Sequence, residues 1–246
     1  MGDLDGRAVF VSGGTKGIGR AVCLALVSAG ARVVTCYGTD EAAASAAQVA
    51  LGDRGVVVQA DVSGPDGVAR VASACAETFP GGLDTIVNNA ALVRGGSLAD
   101  ASFDVLRRTV DVNVMGPLLV TQALLPVLRD GGSIVNIGSR IASLGRGGRV
   151  GYTTSKASLV GLTRSLFREL APRSIRVNLV TPGMIAPDGA VELSSAELAA
   201  VRQRLGSEVA LRRPGTAAEV AEVVVFLASD RASYVNGAEI PVDGGM

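Results

Sequence analysis

A tyrosine and a lysine four positions apart, Tyr152 and Lys156, have the types and spacing that suit acid–base chemistry. On a helix, side chains four residues apart project from the same face. A free tyrosine, with a pKa of about 10, is a poor acid near neutrality, and a neighbouring ammonium group lowers that pKa. Ser139 follows an apolar run, where its hydroxyl can hydrogen-bond a substrate oxygen and stabilise developing negative charge. We therefore predict that Tyr152 exchanges a proton with a substrate.

The composition excludes several other kinds of site. The 246 residues include no histidine, which rules out Ser-His and Cys-His nucleophile pairs and histidine-ligated metals. The three cysteines are far apart without a C-x-x-C pair, so we expect no metal and a reducing, cytoplasmic location. Basic and acidic residues balance at 23 each, so no nucleic-acid partner is expected. The acidic start does not resemble a signal peptide, and no apolar run approaches the roughly 18 residues of a membrane span.

A glycine-rich segment, Ser12–Gly19, joins the first apolar run to the first helical pattern. Glycines allow a tight turn and let the backbone approach a pyrophosphate, while the N-terminus of the following helix carries a positive partial charge. The segment therefore predicts dinucleotide binding. A P-loop is excluded, because no Gly-Lys-Ser/Thr follows and Lys16 precedes its glycine.

Short Val- and Ile-rich runs alternate with Ala- and Leu-rich stretches, which predicts alternating strands and helices. Strands that are apolar throughout are covered on both faces, so we expect an α/β, three-layer, doubly wound fold in one domain, residues 1–246. The predicted strands are 8–12, 31–35, 56–60, 83–87, 133–137, 175–179 and 238–242, and the predicted helices are 19–29, 40–51, 65–79, 103–128 and 153–170. The alternation breaks around 184–214, which contains a short helical run at 194–205, and we predict a substrate lid there.

Several motifs occur together in a fixed order along nearly the whole chain. They are G-x-x-x-G-x-G at Gly13, Gly17 and Gly19, then Asp61-Val62, Asn88-Asn89-Ala90, Asn113, Ser139, the Tyr152–Lys156 motif and Pro182-Gly183. This set resembles the short-chain dehydrogenase/reductase family. The resemblance implies a Rossmann-type fold with a seven-stranded parallel sheet, a nicotinamide cofactor, and hydride transfer to or from a carbon that bears oxygen. An oxidised nicotinamide would also lower the pKa of Tyr152.

The resemblance also implies roles for particular residues. The catalytic set is Asn113, Ser139, Tyr152 and Lys156, with Asn113 kinking its helix and holding a water in a proton relay to the lysine. Asp61 resembles the residue that contacts adenine, and Asn88-Asn89 resembles the backbone cradle of the cofactor. The residues expected to bind the cofactor are Gly13, Thr15, Lys16, Gly17, Ile18, Gly19, Tyr37, Thr39, Asp61, Val62, Asn89, Ala90, Tyr152, Lys156, Pro182, Gly183 and Ile185.

The end of the second predicted strand bears on the choice of cofactor. NAD-selective folds place a carboxylate there for the ribose 2′-hydroxyl, and it would repel a 2′-phosphate. Tyr37 takes that position here, and Asp40 is predicted to cap the next helix. Lys16 resembles the basic residue with which NADP-preferring members hold the phosphate, and Thr39 adds a hydroxyl. We therefore predict NADP(H).

Two positions depart from the family pattern. Ala91 stands where the family usually has glycine, which narrows the space beside the cofactor. Pro187 stands where many members have a threonine that bonds the nicotinamide carboxamide, so that contact is not carried over. Neither change removes a member of the catalytic set.

Within the family, the sequence most resembles the 3-oxoacyl-acyl-carrier-protein reductases, through the run after Tyr152, residues 226–230 and the Val-Asp-Gly-Gly ending. This implies NADPH-dependent reduction of a 3-oxoacyl thioester, bound to acyl carrier protein or CoA, in fatty-acid or polyketide biosynthesis. Arg173 resembles a residue that meets the acidic carrier, whereas Asp130 stands where another basic residue is expected. Two alternatives stay open: a reductase or dehydrogenase of a small ketone, sugar or secondary-metabolite alcohol, and a non-catalytic cofactor-binding regulator.

Four arginines are expected near the active site: Arg94, Arg140, Arg146 and Arg149. One hypothesis is that they receive an anionic acyl substrate or a phosphopantetheine arm. The other is that they lie on an exposed loop and only keep it soluble. The resemblance further implies a homotetramer, or a homodimer, in which helices 103–128 and 153–170 pack against their mates.

Overall fold

Seven strands form one parallel sheet in the order β3-β2-β1-β4-β5-β6-β7, in a computed structural model that describes residues 3–187 and 208–246. The strands are β1 Ala8–Ser12, β2 Arg32–Tyr37, β3 Gly55–Gln59, β4 Leu83–Asn88, β5 Leu128–Ile137, β6 Arg176–Pro182 and β7 Glu239–Val242. The predicted α/β fold with a seven-stranded parallel sheet is confirmed. The strand order reverses between β1 and β4, which opens a crevice at their carboxyl ends.

Helices cover both faces of this sheet. They are α1 Gly17–Ser28, α2 Glu41–Leu51, α3 Pro65–Thr78, α4 Phe103–Val110, α5 Gly116–Leu124, α6 Ile141–Leu144, α7 Val150–Glu169 and α8 Ala217–Ala228. One apolar core packs α1 and α8 on the sheet, through Val22 and Val224 among others. A second core packs α3 and α5 on the opposite face, through Val71 and Leu124. Two cores on one sheet give the three layers that the apolar strands predict.

The helix predicted over 103–128 is helical only from Phe103 to Leu124, and it is not regular over that length. A π-helical turn, Asp111–Met115, separates α4 from α5. Pro117 has no N–H, and its ring crowds the carbonyl four residues back, at Asn113, so a regular helix cannot continue. The N–H of Gly116 bonds the carbonyl of Asp111, five residues back, as in a π turn. The break brings the fully buried Asn113 to the kink.

The segment predicted as a lid begins and ends at one place. Ile185 and Gly215 form a parallel bridge, and the N–H of Ala186 donates to the Gly215 carbonyl at 2.9 Å. The chain therefore leaves and returns beside the carboxyl end of β6. The helical run predicted at 194–205 lies outside the described residues, so the lid, like the single-domain interpretation, stays a prediction.

Candidate active site

A cleft of about 840 Å³ opens where the strand order reverses, at the carboxyl ends of β1 and β4. Every residue that the sequence predicts to bind the cofactor lines this cleft, and so does Ser139. Asn113 is fully buried and is not part of the lining. Parallel strands bring their carboxyl ends to one edge, and for this reason residues far apart in the sequence meet here.

The glycine-rich turn at the floor of the cleft is held in a fixed shape. Gly13 has a φ of 69°, and a Cβ added at Gly19 would lie 2.2 Å from the Gly13 carbonyl oxygen. Asn89 Nδ2 donates to the carbonyl oxygens of Ser12 and Gly13 at 2.9 and 3.0 Å. The Ser12 hydroxyl accepts the N–H groups of Asn89 and Ala90, each at 3.0 Å. The chain after β4 thus fixes the turn between β1 and α1.

Lys156 is almost completely buried on α7, at 3% exposure. Its Nζ donates to the carbonyl of Ile137, the last residue of β5, at 2.7 Å. Burial disfavours the ammonium form and lowers the pKa of Lys156 to about 8. A lysine that titrates this close to neutrality is typical of a functional site.

Tyr152 lies one helical turn before Lys156. Burial raises the pKa of Tyr152 above its ordinary value, while a hydrogen bond with Ser139 and the charge of Arg149 lower it by a smaller amount. The prediction that the pKa of Tyr152 lies below its ordinary value is wrong for this structure, because desolvation of the phenol outweighs the groups that lower the pKa. A phenol that keeps its proton at neutral pH suits a proton donor, and Ser139 lies beside it to bind the same oxygen.

Asn113 supports this pair from the π-helical turn. Its Oδ1 accepts the N–H of Leu92 at 2.7 Å, and its Nδ2 donates to the Leu92 carbonyl at 3.0 Å and to Ser155 Oγ at 2.9 Å. The amide therefore ties the loop after β4 to α7, next to Lys156. The proton relay through a water that the resemblance implies for Asn113 stays a prediction.

Ala91, expected beside the cofactor, lines the cleft. Further lining residues were not assigned to it from the sequence: Cys36, Gly38, Asp40, Ala60, Leu92, Val93, Arg108, Val112, Ile137 and Gly138. Most of them are next to a predicted residue in the sequence, so extending each motif by a few residues would have included them. Arg108 on α4 adjoins no motif, and nothing in the sequence pointed to it.

Arg108 forms an ion pair with Asp61, the residue expected to contact adenine. Its Nη2 lies 2.6 Å from Asp61 Oδ2, and Ser63 Oγ donates to Asp61 Oδ1 at 2.7 Å. Burial raises the pKa of Asp61, but the hydrogen bonds from Ser63 and Arg108 outweigh this effect and hold the pKa below its usual value. The Asp61 carboxylate is therefore ionised and fixed at the end of β3.

Lys16 and Asp40 form an ion pair at the β2 end of the cleft, where Tyr37 and Thr39 also lie. Asp40 Oδ1 accepts the N–H of Ala43 at 2.9 Å, which confirms the predicted cap of α2. The hydrogen bond from Lys16, followed by that from Ala43, holds the pKa of Asp40 below its usual value. Asp40 thus combines capping with a role that the sequence did not assign to it, pairing with Lys16.

The arginines predicted near the active site do not form one cluster. Arg140 pairs with Asp243, its Nε 2.6 Å from Asp243 Oδ2, and it is not among the residues that line the cleft. Its expected role as a receiver of anionic substrate stays a prediction. Arg173 Nε donates to Asp130 Oδ1 at 2.8 Å. Asp130 lies near the amino end of β5, whereas the cleft lies at the carboxyl ends of the strands. The structure therefore does not bring Arg173 to the active site of this chain.

Arg94 and Arg149 line a second cavity, of about 210 Å³, that shares Tyr152 with the cleft. Its lining includes the apolar side chains of Leu98 and Leu106, and also Asp100. Arg146 is not among the lining residues of either cavity. A carbonyl group held at Tyr152 would therefore have space beside it for the rest of a substrate.

Within residues 3–187 and 208–246, His, Cys, Asp and Glu side chains form no group of three or more that could hold a metal ion. In the same part of the chain, no helix is both long enough and apolar enough to span a bilayer.

Comparisons with known proteins agree with this geometry. A family model described as enoyl-(acyl carrier protein) reductase matches residues 13–246. An uncharacterized oxidoreductase of Methylorubrum extorquens is 38% identical over 100% of both chains, and a 3-oxoacyl-acyl-carrier-protein reductase of Aquifex aeolicus is 37% identical over 99% of this chain and 98% of its own. A crystal structure of a short chain dehydrogenase from Burkholderia cenocepacia in complex with NADP has a TM-score of 0.86 and 36% identity, covering 99% of this chain and 98% of that one. The chain belongs to the short-chain dehydrogenase/reductase family and is an oxidoreductase.

Proposed function

We propose that the protein is an NADPH-dependent reductase of ketone carbonyls, with a 3-oxoacyl thioester as the favoured substrate. The observation that carries the proposal is the meeting of Ser139, Tyr152 and the buried Lys156 at one end of a dinucleotide-sized cleft. The Aquifex aeolicus relative, named as a 3-oxoacyl-acyl-carrier-protein reductase, supports the substrate class. The cytoplasmic location expected from the sequence is part of this proposal.

The cleft fits a dinucleotide in shape and in donors. The Gly13 turn and the close approach at Gly19 leave a concave backbone surface, and the side chain of Lys16 makes no cap hydrogen bond at the start of α1. Backbone N–H groups of such a helix start favour a pyrophosphate. Bound NADPH would supply the hydride for the carbonyl carbon. The family resemblance implies that the rest of the NADPH molecule would be held by Asp61, Asn89 and the Pro182-Gly183 turn.

The chain's own residues then manage the substrate oxygen. Ser139 and Tyr152 donate hydrogen bonds to it, which stabilises the negative charge that develops during reduction. Tyr152 gives this oxygen its proton, a step for which its raised pKa keeps the phenol protonated. The ammonium of Lys156, when present, favours the phenolate that this transfer leaves behind.

Lys16 and Asp40 set the cofactor preference in this account. Lys16→Ala is expected to raise the KM for NADPH about 10-fold and to leave that for NADH nearly unchanged, because a charge-assisted bond to the 2′-phosphate is lost. Asp40→Asn keeps a helix-capping side chain but removes a charge that competes for Lys16, so the KM for NADPH is expected to fall. Steady-state kinetics with both cofactors check this, with Arg20→Ala, outside the cleft lining, as the charge-matched control. Equal effects on NADPH and NADH would contradict the assignment.

The second cavity is proposed to receive the remainder of the thioester, with Arg149 beside its anionic part. Arg149→Ala is expected to raise the KM for an acyl-carrier or CoA thioester by about 10-fold, since hydrogen bonds to charged groups contribute about 1.5–3 kcal/mol. Arg146→Ala, outside both linings, is the matched control. Steady-state kinetics measure the KM of each variant for a charged thioester and for an uncharged short analogue. Equal KM changes for the two substrates, or for the two variants, would contradict this role of Arg149.

The expected homotetramer, or homodimer, is a proposal as well. Phe103, Val110 and Leu118 on α4 and α5 are 75%, 43% and 41% exposed. Exposed apolar side chains grouped on one pair of helices favour a protein partner. A second copy of the chain is the partner that the family resemblance implies.

NADPH consumption by the purified protein tests the proposed function. Candidate substrates are a short 3-oxoacyl thioester, the matching 2-enoyl thioester and a panel of small ketones and sugars. Turnover of the 3-oxoacyl thioester alone supports the proposal, whereas turnover only of small ketones moves the substrate class to the first alternative. NADPH binding without turnover on any carbonyl contradicts the reductase and favours the cofactor-binding regulator.

A further inference from the structure

Arg140 directly follows Ser139, and the proposed reaction gives its side chain no task. The Arg140 side chain is 21% exposed, and its Nε lies 2.6 Å from Oδ2 of Asp243, whose side chain is 10% exposed. The Nε–H does not form a hydrogen bond, so this is a contact between charges. Nη2 donates to the Met246 carbonyl at 3.1 Å. Arg140 is therefore anchored to the residues that follow β7.

The backbone around this ion pair joins three segments. The N–H of Arg140 donates to the Pro182 carbonyl at 2.9 Å, and the N–H of Gly183 donates to the Val242 carbonyl at 3.0 Å. A Cβ added at Gly183 would lie 2.6 Å from Asp243 Cβ, so only glycine permits this approach. The loop that carries Ser139, the turn after β6 and the chain after β7 are thus in direct contact.

The chain after β7 also contacts the described end of the segment predicted as a lid. The N–H of Ala210 donates to the Gly245 carbonyl at 3.2 Å, and the N–H of Leu211 donates to the Gly244 carbonyl at 3.0 Å. Ser139 itself has little local support, since its Oγ accepts the Ile141 N–H at only 3.4 Å. Arg140 therefore provides a side-chain link between the Ser139 loop and this surrounding structure.

We propose that Arg140 is a positioning residue, which holds the Ser139 hydroxyl against the Tyr152 phenol through its ion pair with Asp243. The inference rests on the proposed function and deepens it, because these two hydroxyls bind the substrate oxygen in that reaction. Removing one member of a largely buried ion pair leaves the other charge uncompensated, which displaces the groups around it. A displacement of about 1 Å in an active site can cost about 10²-fold in rate.

A double-mutant cycle tests the coupling. Arg140→Met and Asp243→Asn are each expected to lower kcat by about 10-fold or more, with less than about a 2-fold change in the NADPH dissociation constant. The double variant is expected to lose no more than either single variant, because both remove one interaction. Arg140→Lys restores part of the rate by keeping the charge. Arg231→Met, which breaks an exposed ion pair with Asp3, is the control and keeps its rate.

A second measurement needs no substrate, so it separates this inference from the proposed function. The hydrogen bond with Ser139 lowers the pKa of Tyr152, and its loss in Arg140→Met makes this phenol titrate at higher pH than in the wild type. The chain has three tyrosines and no tryptophan, so the ultraviolet absorbance of tyrosinate, minus that of the matching Tyr152→Phe protein, isolates this group. Circular dichroism defines the pH range in which the proteins stay folded.

An unchanged Tyr152 titration in both Arg140→Met and Asp243→Asn overturns the positioning role, even if kcat falls. So does a double variant whose losses simply add. A wild-type protein without turnover on any carbonyl overturns the proposed function, whereas a shifted titration in the same protein still supports the role of Arg140.

Discussion

Replacing Tyr152 with phenylalanine is expected to lower kcat by about 10³-fold, within the range that a positioned general acid contributes. Phenylalanine keeps the ring and its packing but removes the hydroxyl that donates the proton and bonds Ser139. The remaining Ser139 hydroxyl can orient a carbonyl oxygen but has no proton to give at neutral pH. Cofactor affinity is expected to stay nearly the same, because Tyr152 is one of many residues that line the cleft.

Steady-state kinetics together with NADPH fluorescence titration check this result. Tyr234→Phe is the matched control, because it removes the same hydroxyl from a tyrosine that is fully exposed and lies outside the cleft. If Tyr152→Phe kept more than about a tenth of the wild-type kcat, Tyr152 would not be the general acid.

The second large effect concerns Lys156, for which activity and stability are expected to move in opposite directions. Lys156→Met is expected to lower kcat by at least about 10²-fold, because the buried cation beside Tyr152 is lost. The same change is expected to stabilise the fold at neutral pH. Burial lowers the pKa of Lys156 from 10.5 to about 8, a gross cost for the ammonium of about 3 kcal/mol at about 1.4 kcal/mol per unit. Losing the hydrogen bond to Ile137 offsets about 1 kcal/mol of the gain.

The pH dependence fixes the sign of this effect. Between pH 8 and 10.5 the unfolded chain holds a proton on Lys156 that the folded chain releases, so this residue makes the fold more stable as the pH rises. Below about pH 8 Lys156 is protonated in the folded chain, so the desolvation of its ammonium lowers the free energy of unfolding by the full amount. The free energy of unfolding of Lys156→Met is therefore expected to exceed that of the wild type at pH 7, by an amount that shrinks towards pH 10. Urea denaturation of both proteins across this range measures the difference, and a constant or growing gap would contradict the low pKa.

Periodicity predicted the sheet because each strand carries a short run that includes Val, Ile or Leu, and β1, β4 and β6 are buried throughout. The start of β5 was missed, since residues 129–131 are exposed and carry no apolar signal. Periodicity does not predict the π-helical turn either, although the resemblance implies a kink at Asn113, which lies in that turn. Pro117 follows a glycine inside a helical pattern, and these two residues are the local signal for the irregularity.

Most cleft residues were predictable because they belong to motifs at the carboxyl ends of strands, and a parallel sheet brings these ends together. Tyr152 and Lys156 lie on α7 instead, and their four-residue spacing predicted them. Their charge partners were not predictable. Arg140 and Asp243, or Asp61 and Arg108, are far apart along the chain and meet only through the fold. The pKa of Tyr152 was predicted in the wrong direction, because spacing reveals a neighbouring lysine but not the desolvation of the phenol.

The central claim is that this cleft delivers hydride to a carbonyl carbon, with Tyr152 as the acid. The most direct test incubates the protein with NADPH that carries deuterium at both positions of nicotinamide C4 and a short 3-oxoacyl thioester, and locates the label by mass spectrometry. We expect deuterium on the carbinol carbon of the 3-hydroxy product, and almost none with Tyr152→Phe. Two results would contradict this claim. One is a bound cofactor that keeps its deuterium with this thioester and with every other carbonyl supplied. The other is label transfer that persists in Tyr152→Phe.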